Sequence, residues 1–389
     1  MIDKIFNMLK PHFEEGGRIR AAWPLYDALQ TLFYRLPVRT VAGVHLRDAY
    51  DLKRMMMTVV IALVPCALFG TYNTGYHHFL SRGMTPEFLP SMVEGLKVLV
   101  PLLVVTYTVG LTIEVVFAIV RKHEVSEGFF VSGMLITLIM PPTIPLWQVA
   151  LATAFAVVLG KEVFGGTGMN IFNPALMARA FIFFAYPRSL SGHDVWTLTT
   201  GTPVDAYTMA TPLAVAHETA FGVAEHLAEK GYGVWKMFIG LHPGCIGETS
   251  ELAILLGAIL LIGTGVGSWR IILSVFAGGA ATVFLFNAVA PSPVSIMALP
   301  LQYHLVMGSF AFGAVFMATD PVSAASTNGG KYVYGFFIGV LIILVRVINP
   351  AYEEGTMLAI LFMNLFAPLI DYTVLRIHMR RRRSRAKAE

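Results

Sequence analysis

"GFFVSGMLITLIMP", residues Gly128 to Pro141, aligns without gaps to "GSFAFGAVFMATDP", residues Gly308 to Pro321. Gly128 matches Gly308, Phe130 matches Phe310, Gly133 matches Gly313, and Pro141 matches Pro321. One such match is weak in apolar sequence. A second follows in the same order, however: "MNIFNPAL" (Met169–Leu176) resembles "MNLFAPLI" (Met363–Ile370), with an insertion between the pairs. Two ordered matches predict a duplicated chain. Each copy carries a short apolar run that ends in proline.

The composition says where such a chain lives. It is 56% hydrophobic and only 13% charged over 389 residues, with a mean hydropathy of +0.67. Soluble proteins carry about 25% charged residues, so lipid is the main solvent here. A helix needs about 20 apolar residues to cross a bilayer. Eight stretches meet that need: Met55–Tyr72, Leu96–Val120, Gln148–Phe164, Ile171–Tyr186, Glu251–Gly267, Ile271–Ala288, Tyr334–Asn349 and Thr356–Val374. Phe129–Pro142 and His304–Thr319 add two short or discontinuous spans.

The expected fold is therefore an all-α integral membrane protein of about ten transmembrane helices in two five-helix repeats. Five is odd, so the second copy enters the membrane from the opposite side. Inverted repeats with broken helices are a transporter-like architecture. Irregular backbone at membrane depth must be buried in protein or line a cavity.

Basic residues set the orientation, because they accumulate on the cytoplasmic side. The N-terminal segment, Arg121-Lys122-His123, Arg270, Lys331 and the tail "RIHMRRRRSRAK" (Arg376–Lys387) all fall on one side of a ten-span chain. Residues 1–54 are then a cytoplasmic segment, 55–186 and 251–374 the two membrane repeats, and 375–389 a basic cytoplasmic tail. Residues 187–250 form an outer loop. The basic tail directly follows a membrane span, which favours a cytoplasmic anchor over a nucleic-acid arm. Residues 1–54 lack the apolar core of a signal peptide.

Several chemistries are excluded. Cys66 and Cys245 are the only cysteines, too few for a thiolate iron–sulfur cluster built by this chain alone. His193, His217, His226 and His242 lack the close pairing of a zinc site. "GGTGMN" lacks the GK[ST] of a phosphate-binding loop, and no G-x-G-x-x-G follows a strand, so the chain cannot oxidise NADH by itself.

Glu114, Lys161, Glu162, Arg179, Asp320, Arg346 and Asp371 lie in spans or at their ends. A charge at the bilayer centre costs at least ~2.5 kcal/mol, so each needs a reason. Lys161, Glu162 and Arg346 stand near helix ends, where snorkelling or local pairing suffices. Glu114 is deeper, one turn after Gly110 and on the same helix face. A glycine beside a carboxylate suits a quinone headgroup or an ion; it equally suits plain helix packing. Asp371 reads as an ion-path acid or a salt bridge.

"YDLKRMMM" (Tyr50–Met57), "GKEVFGGTGMNIFNPAL" (Gly160–Leu176), "DAYTMATPLA" (Asp205–Ala214) and "FMNLFAPLIDY" (Phe362–Tyr372) together resemble the B subunits of the sodium-translocating NADH:quinone oxidoreductases. The resemblance spans essentially the whole chain, including "LYDALQTLFY" at Leu25–Tyr34. The related D subunit of the Rnf ferredoxin complex lacks most of that N-terminal extension. It and a cofactor-free transporter are the alternative readings.

The resemblance implies a flavin-attachment motif Asp-x-x-[Ser/Thr]-x-Ala-Thr, matched by Asp205, Thr208, Ala210 and Thr211. Thr211 would carry FMN through a phosphodiester made by a flavin transferase. Met209 stands where a small residue is common in the family. The resemblance also implies a non-covalent riboflavin near Asn173 and Pro174, which read equally as a helix-start turn. Gly110 and Glu114 match a pair associated with quinone binding. By the same resemblance the chain works in the bacterial inner membrane, in a six-subunit complex that passes electrons to ubiquinone while exporting Na+ or H+.

Overall fold

The computed structural model describes residues 10, 11, 13, 23, 26, 52–122, 128–199, 209–218, 222–292, 295–349 and 352–386. Asp205, Thr208 and most of the 1–54 segment lie outside the described residues.

Helices account for all the regular structure among the described residues. The first half holds α1 (Leu52–Ser81), α2 (Phe88–Arg121), α3 (Phe129–Leu138), α4 (Leu146–Gly160) and α5 (Pro174–Ala185). Three short helices follow in the connecting loop: α6 (Pro212–His217), α7 (Val223–Glu229) and α8 (Val234–Ile239). The second half holds α9 (Glu251–Gly263), α10 (Trp269–Val289), α11 (Leu301–Val306), α12 (Phe310–Phe312, running into a π-turn over Gly313–Met317), α13 (Asn328–Ile348) and α14 (Thr356–Arg385). Six helical stretches, among them α1, α2, α10, α13 and α14, are long and apolar enough to cross a membrane. The others in the two halves are shorter apolar segments, so this is a multi-pass all-α membrane protein.

The lipid-facing pattern is plain on α2. Ser91, Gly95, Leu99, Leu102, Thr106, Gly110, Glu114 and Ala118 are buried at spacings of three and four. Val93, Leu96, Val100, Val104, Val116 and Val120 are exposed on the other faces. Small and polar residues turn inward while large aliphatic ones turn outward, as expected where lipid replaces water.

The two halves repeat their packing. In the first, α1 packs on α3, α2 on α4, α3 on α5 and α4 on α5. In the second, α9 packs on α12, α10 on α13, α12 on α14 and α13 on α14. The halves join through α1 against α9 and α5 against α14. At the second junction the duplicated motifs meet. With its amide turned to satisfy both neighbours, Asn364 accepts from the Asn173 N–H at 3.1 Å and donates to the Tyr334 hydroxyl. The α1–α2 pairing has no counterpart of similar extent in the second half.

Both short spans stop inside the bundle, and a buried arginine receives each stop. Past α3, the Ile139 carbonyl accepts from Arg179 of α5. The expected span His304–Thr319 is not one helix: it breaks between α11 and α12 at Gly308, whose φ of 66° is left-handed. Arg346 of α13 donates to the freed carbonyls of His304 (2.7 Å) and Met307 (2.8 Å). Arg346 is 0% exposed, so of the two expectations for it, local pairing holds and snorkelling does not. Each break survives at depth because its orphaned backbone acceptors find charged donors.

Candidate functional site

Thr211 opens α6. Its backbone is extended (φ −68°, ψ 157°), and its Oγ1 accepts from the Ala214 N–H at 3.2 Å. Pro212 follows at the first helical position, where its missing N–H costs nothing. The preceding carbonyl, of Ala210, accepts from the Tyr232 hydroxyl at 2.8 Å. Ala210, Leu213, Val215, Leu227 and Met237 pack with Leu299, Tyr303 and Met307 into a small apolar cluster of their own. The described part of this connection is thus a folded unit that presents one threonine at a fixed place.

That place is the lining of a large cavity. A cavity of about 350 Å³ opens beside Thr211, bounded by residues from α5, α6, the 190–196 and 242–249 segments and the α13–α14 connection. Ligand pockets commonly fall between about 300 and 1,000 Å³, so a multi-ring molecule has room here. Arg179 lies in its wall, bound to the Glu354 carboxylate, the Cys245 Sγ (2.9 Å) and, more loosely, Glu248 (3.9 Å). His242, Thr249, Tyr352 and Glu354 also line it. Each has a buried polar atom with no hydrogen-bond partner among the described residues: His242 Nδ1, Thr249 Oγ1, Tyr352 Oη and Glu354 Oε1. Burial pushes the His242 imidazole down to about 4, with a smaller push from Lys236, so it is neutral. Glu353 in the same wall is pushed up to about 7 by burial and by Glu218, partly offset by His193.

A second, much smaller cavity of about 70 Å³ lies between the halves. Met55 of α1, Ser132 of α3, Lys161, Thr167, Asn170, Asn173 and Pro174 line it from the first half. Phe316, Thr319 and Asp320 close it from the second. Asn173 takes the helix-start place expected of it: its Oδ1 accepts from Ala175 N (2.9 Å) and Leu176 N (3.4 Å) as the cap of α5, and the residue also borders the cavity. α5 therefore runs from this cavity, at Pro174, to the Thr211 cavity, at Arg179 and Phe183.

Gly110 and Glu114 share the buried face of α2, as their spacing requires. The space beside Gly110 is filled by the Phe129 ring: a methyl there would stand 1.9 Å from the ring's Cζ. Glu114 pairs with Lys161, both side chains 3% exposed. Lys161 also borders the second cavity, whereas neither Gly110 nor Glu114 lines it. Through its pairing with Lys161, Glu114 is thus one side chain away from that cavity, a connection that spacing within α2 could not reveal. Glu162 instead holds Arg121, at 3.3 Å.

Asp371 on α14 accepts from the Ser326 N–H (2.7 Å), the Thr327 N–H (2.9 Å) and the Thr327 hydroxyl. It clamps the start of α13. The wall residues Tyr352, Thr249 and His242 carried no signal in the sequence, because they come from separate segments joined only by the fold.

Known proteins match the chain over its whole length. The model of the NQR2, RnfD, RnfE family matches residues 39–380. A protein of Chromohalobacter salexigens, named as the B subunit of Na(+)-translocating NADH-quinone reductase, is 45% identical, over 100% of this chain and 97% of its own length. Proteins of the same name from Stutzerimonas stutzeri and Pseudomonas aeruginosa are 45% and 44% identical, each over 99% of this chain and 99% and 98% of their own lengths. Matched from end to end by these relatives, the chain belongs to the NQR2, RnfD, RnfE family.

Proposed function

We propose that this chain is the membrane-embedded B subunit of a Na+-translocating NADH:quinone reductase, with FMN joined to Thr211 by a phosphodiester and riboflavin held at the second cavity, beside Asn173. The observation that carries the reading is the Thr211 hydroxyl on the lining of a cavity of about 350 Å³ whose wall holds unpartnered polar atoms. The bond from the Ala214 N–H uses the lone pair of Oγ1 and not its proton, so esterification by a flavin transferase leaves the cap's donor in place. A flavin supplies one- and two-electron chemistry when bound. The chain's residues hold and shield it. Asn170, Asn173, Thr167 and Ser132 offer the second cavity amide and hydroxyl groups, beside Lys161, Thr319 and Asp320 and an apolar remainder.

Ubiquinone, in this reading, is reduced at the Gly110–Glu114 face of α2, with Phe129 moving aside to uncover the glycine. NADH oxidation belongs to other subunits of a six-subunit complex. The coupling ion is Na+ or H+, and Asp371 is its candidate gate if the clamp on α13 opens. Residues 187–250 face the periplasm and both termini the cytoplasm of a bacterial inner membrane. Full-length identity to the reductase subunits favours this reading over a ferredoxin-linked D subunit or a cofactor-free transporter.

The test is direct. The denatured, gel-separated polypeptide should fluoresce yellow under ultraviolet light, and Thr211→Ala should insert normally yet lose that fluorescence and the mass of one FMN. An intact mass for Thr211→Ala that still includes FMN would overturn the assignment.

A further inference from the structure

The cavity beside Thr211 has a wall with a defined hydrogen-bonding pattern. Tyr352 (7% exposed) and Thr249 (2% exposed) each bury a hydroxyl that has no partner among the described residues. Glu354 offers one carboxylate oxygen to Arg179 and leaves the other without a partner. Leaving such a group buried and unsatisfied is costly, and three of them line this one cavity. Two hydroxyls can donate and the carboxylate oxygen can only accept. Two donors and one acceptor are the set of groups that an imide edge takes, in which a ring N–H lies between two carbonyl oxygens. The pyrimidine side of an isoalloxazine is such an edge.

We infer that Tyr352, Thr249 and Glu354 seat the imide edge of the ring system attached at Thr211, the hydroxyls donating to its two carbonyls and Glu354 accepting from its N–H. The inference rests on the proposed flavinylation of Thr211. Tyr352 is braced for this by the Phe183 ring at 4.6 Å, and Glu354 by Arg179. The three come from the α13–α14 connection and the segment before α9, so the wall is assembled from two separate stretches of chain. Each is a binding residue for the ring, distinct from the threonine that tethers it.

The sign of a stability change tests this. In the purified complex, Tyr352→Phe removes only the hydroxyl. With flavin attached it should lower the thermal midpoint; in a Thr211→Ala background it should leave the midpoint unchanged or raise it, because an unsatisfied hydroxyl is gone. Thr249→Val should repeat the reversal, and either variant should shift the visible absorption of the covalent flavin. Equal midpoint shifts in both backgrounds, with an unaltered flavin spectrum, would overturn the inference while leaving the tether intact. A wild-type polypeptide that carries no covalent flavin would instead sink the parent reading.

Discussion

Gly110 shows how a single atom's worth of space carries a functional argument. Its missing methyl lets the Phe129 ring lie against the α2 backbone. Gly110→Ala must displace that ring, so we expect a raised apparent KM for quinone, or resistance to quinone-site inhibitors, with normal flavin reduction by NADH. Unchanged quinone kinetics in both Gly110→Ala and Glu114→Gln would reduce the pair to helix packing and its ion pair with Lys161. Glu353 makes a pH prediction. Its carboxyl is pushed from an ordinary 4.5 to about 7, first by burial and then by Glu218. A folded state that binds a proton more tightly than the unfolded chain is favoured by it at low pH, and that contribution fades as pH rises through about 7. The thermal midpoint should therefore decline between pH 5 and 8 less steeply in Glu353→Gln than in wild type. Parallel profiles would show that Glu353 titrates normally.

Among the elements, α10 and α13 make the closest backbone approach of the second half. A methyl on Gly339 would stand 2.0 Å from the Val275 carbonyl oxygen and 2.6 Å from the Gly279 nitrogen. Backbone cannot yield as a flexible side chain can, so Gly339→Ala should force the helices apart. Overpacking of this kind costs about 1–3 kcal/mol, read as a lowered thermal midpoint or reduced assembly into membranes. Gly263→Ala, at the open end of α9 with nothing within 4 Å, should be silent by the same measurement. The broken elements obey a different rule. α3 and α11 end inside protein, and Arg179 and Arg346 take up the carbonyls that the missing helical turns would have satisfied.

At the scale of the whole molecule, the proposed topology gathers most basic residues at the helix ends on one face, with Arg82 and Arg188 on the other. Arg54, Arg121, Arg270, Lys331 and the Arg376–Arg385 turns of α14 fall together if successive spans alternate in direction. A reporter fused after Glu389 should then be active only when it needs the cytoplasm. Activity of a periplasm-dependent reporter at that position would invert the proposed topology. The two cavities lie toward opposite ends of α5, with Pro174 in one lining and Phe183 in the other.

Sequence alone determined the membrane class, the all-α fold and the long apolar helices, because each depends on local composition and on spacing along one chain. It also singled out Thr211 and Asn173, whose neighbours in sequence form their motifs and their helix caps. Tertiary structure decided what lies across from them. Asn173 meets Asn364, 191 positions later; Phe129 fills the space at Gly110; Glu114 finds Lys161 rather than solvent. The walls of both cavities draw on segments that no periodicity links. Burial inside a lipid-embedded bundle makes every unpaired polar atom costly, and only the folded arrangement shows which of them the chain satisfies itself.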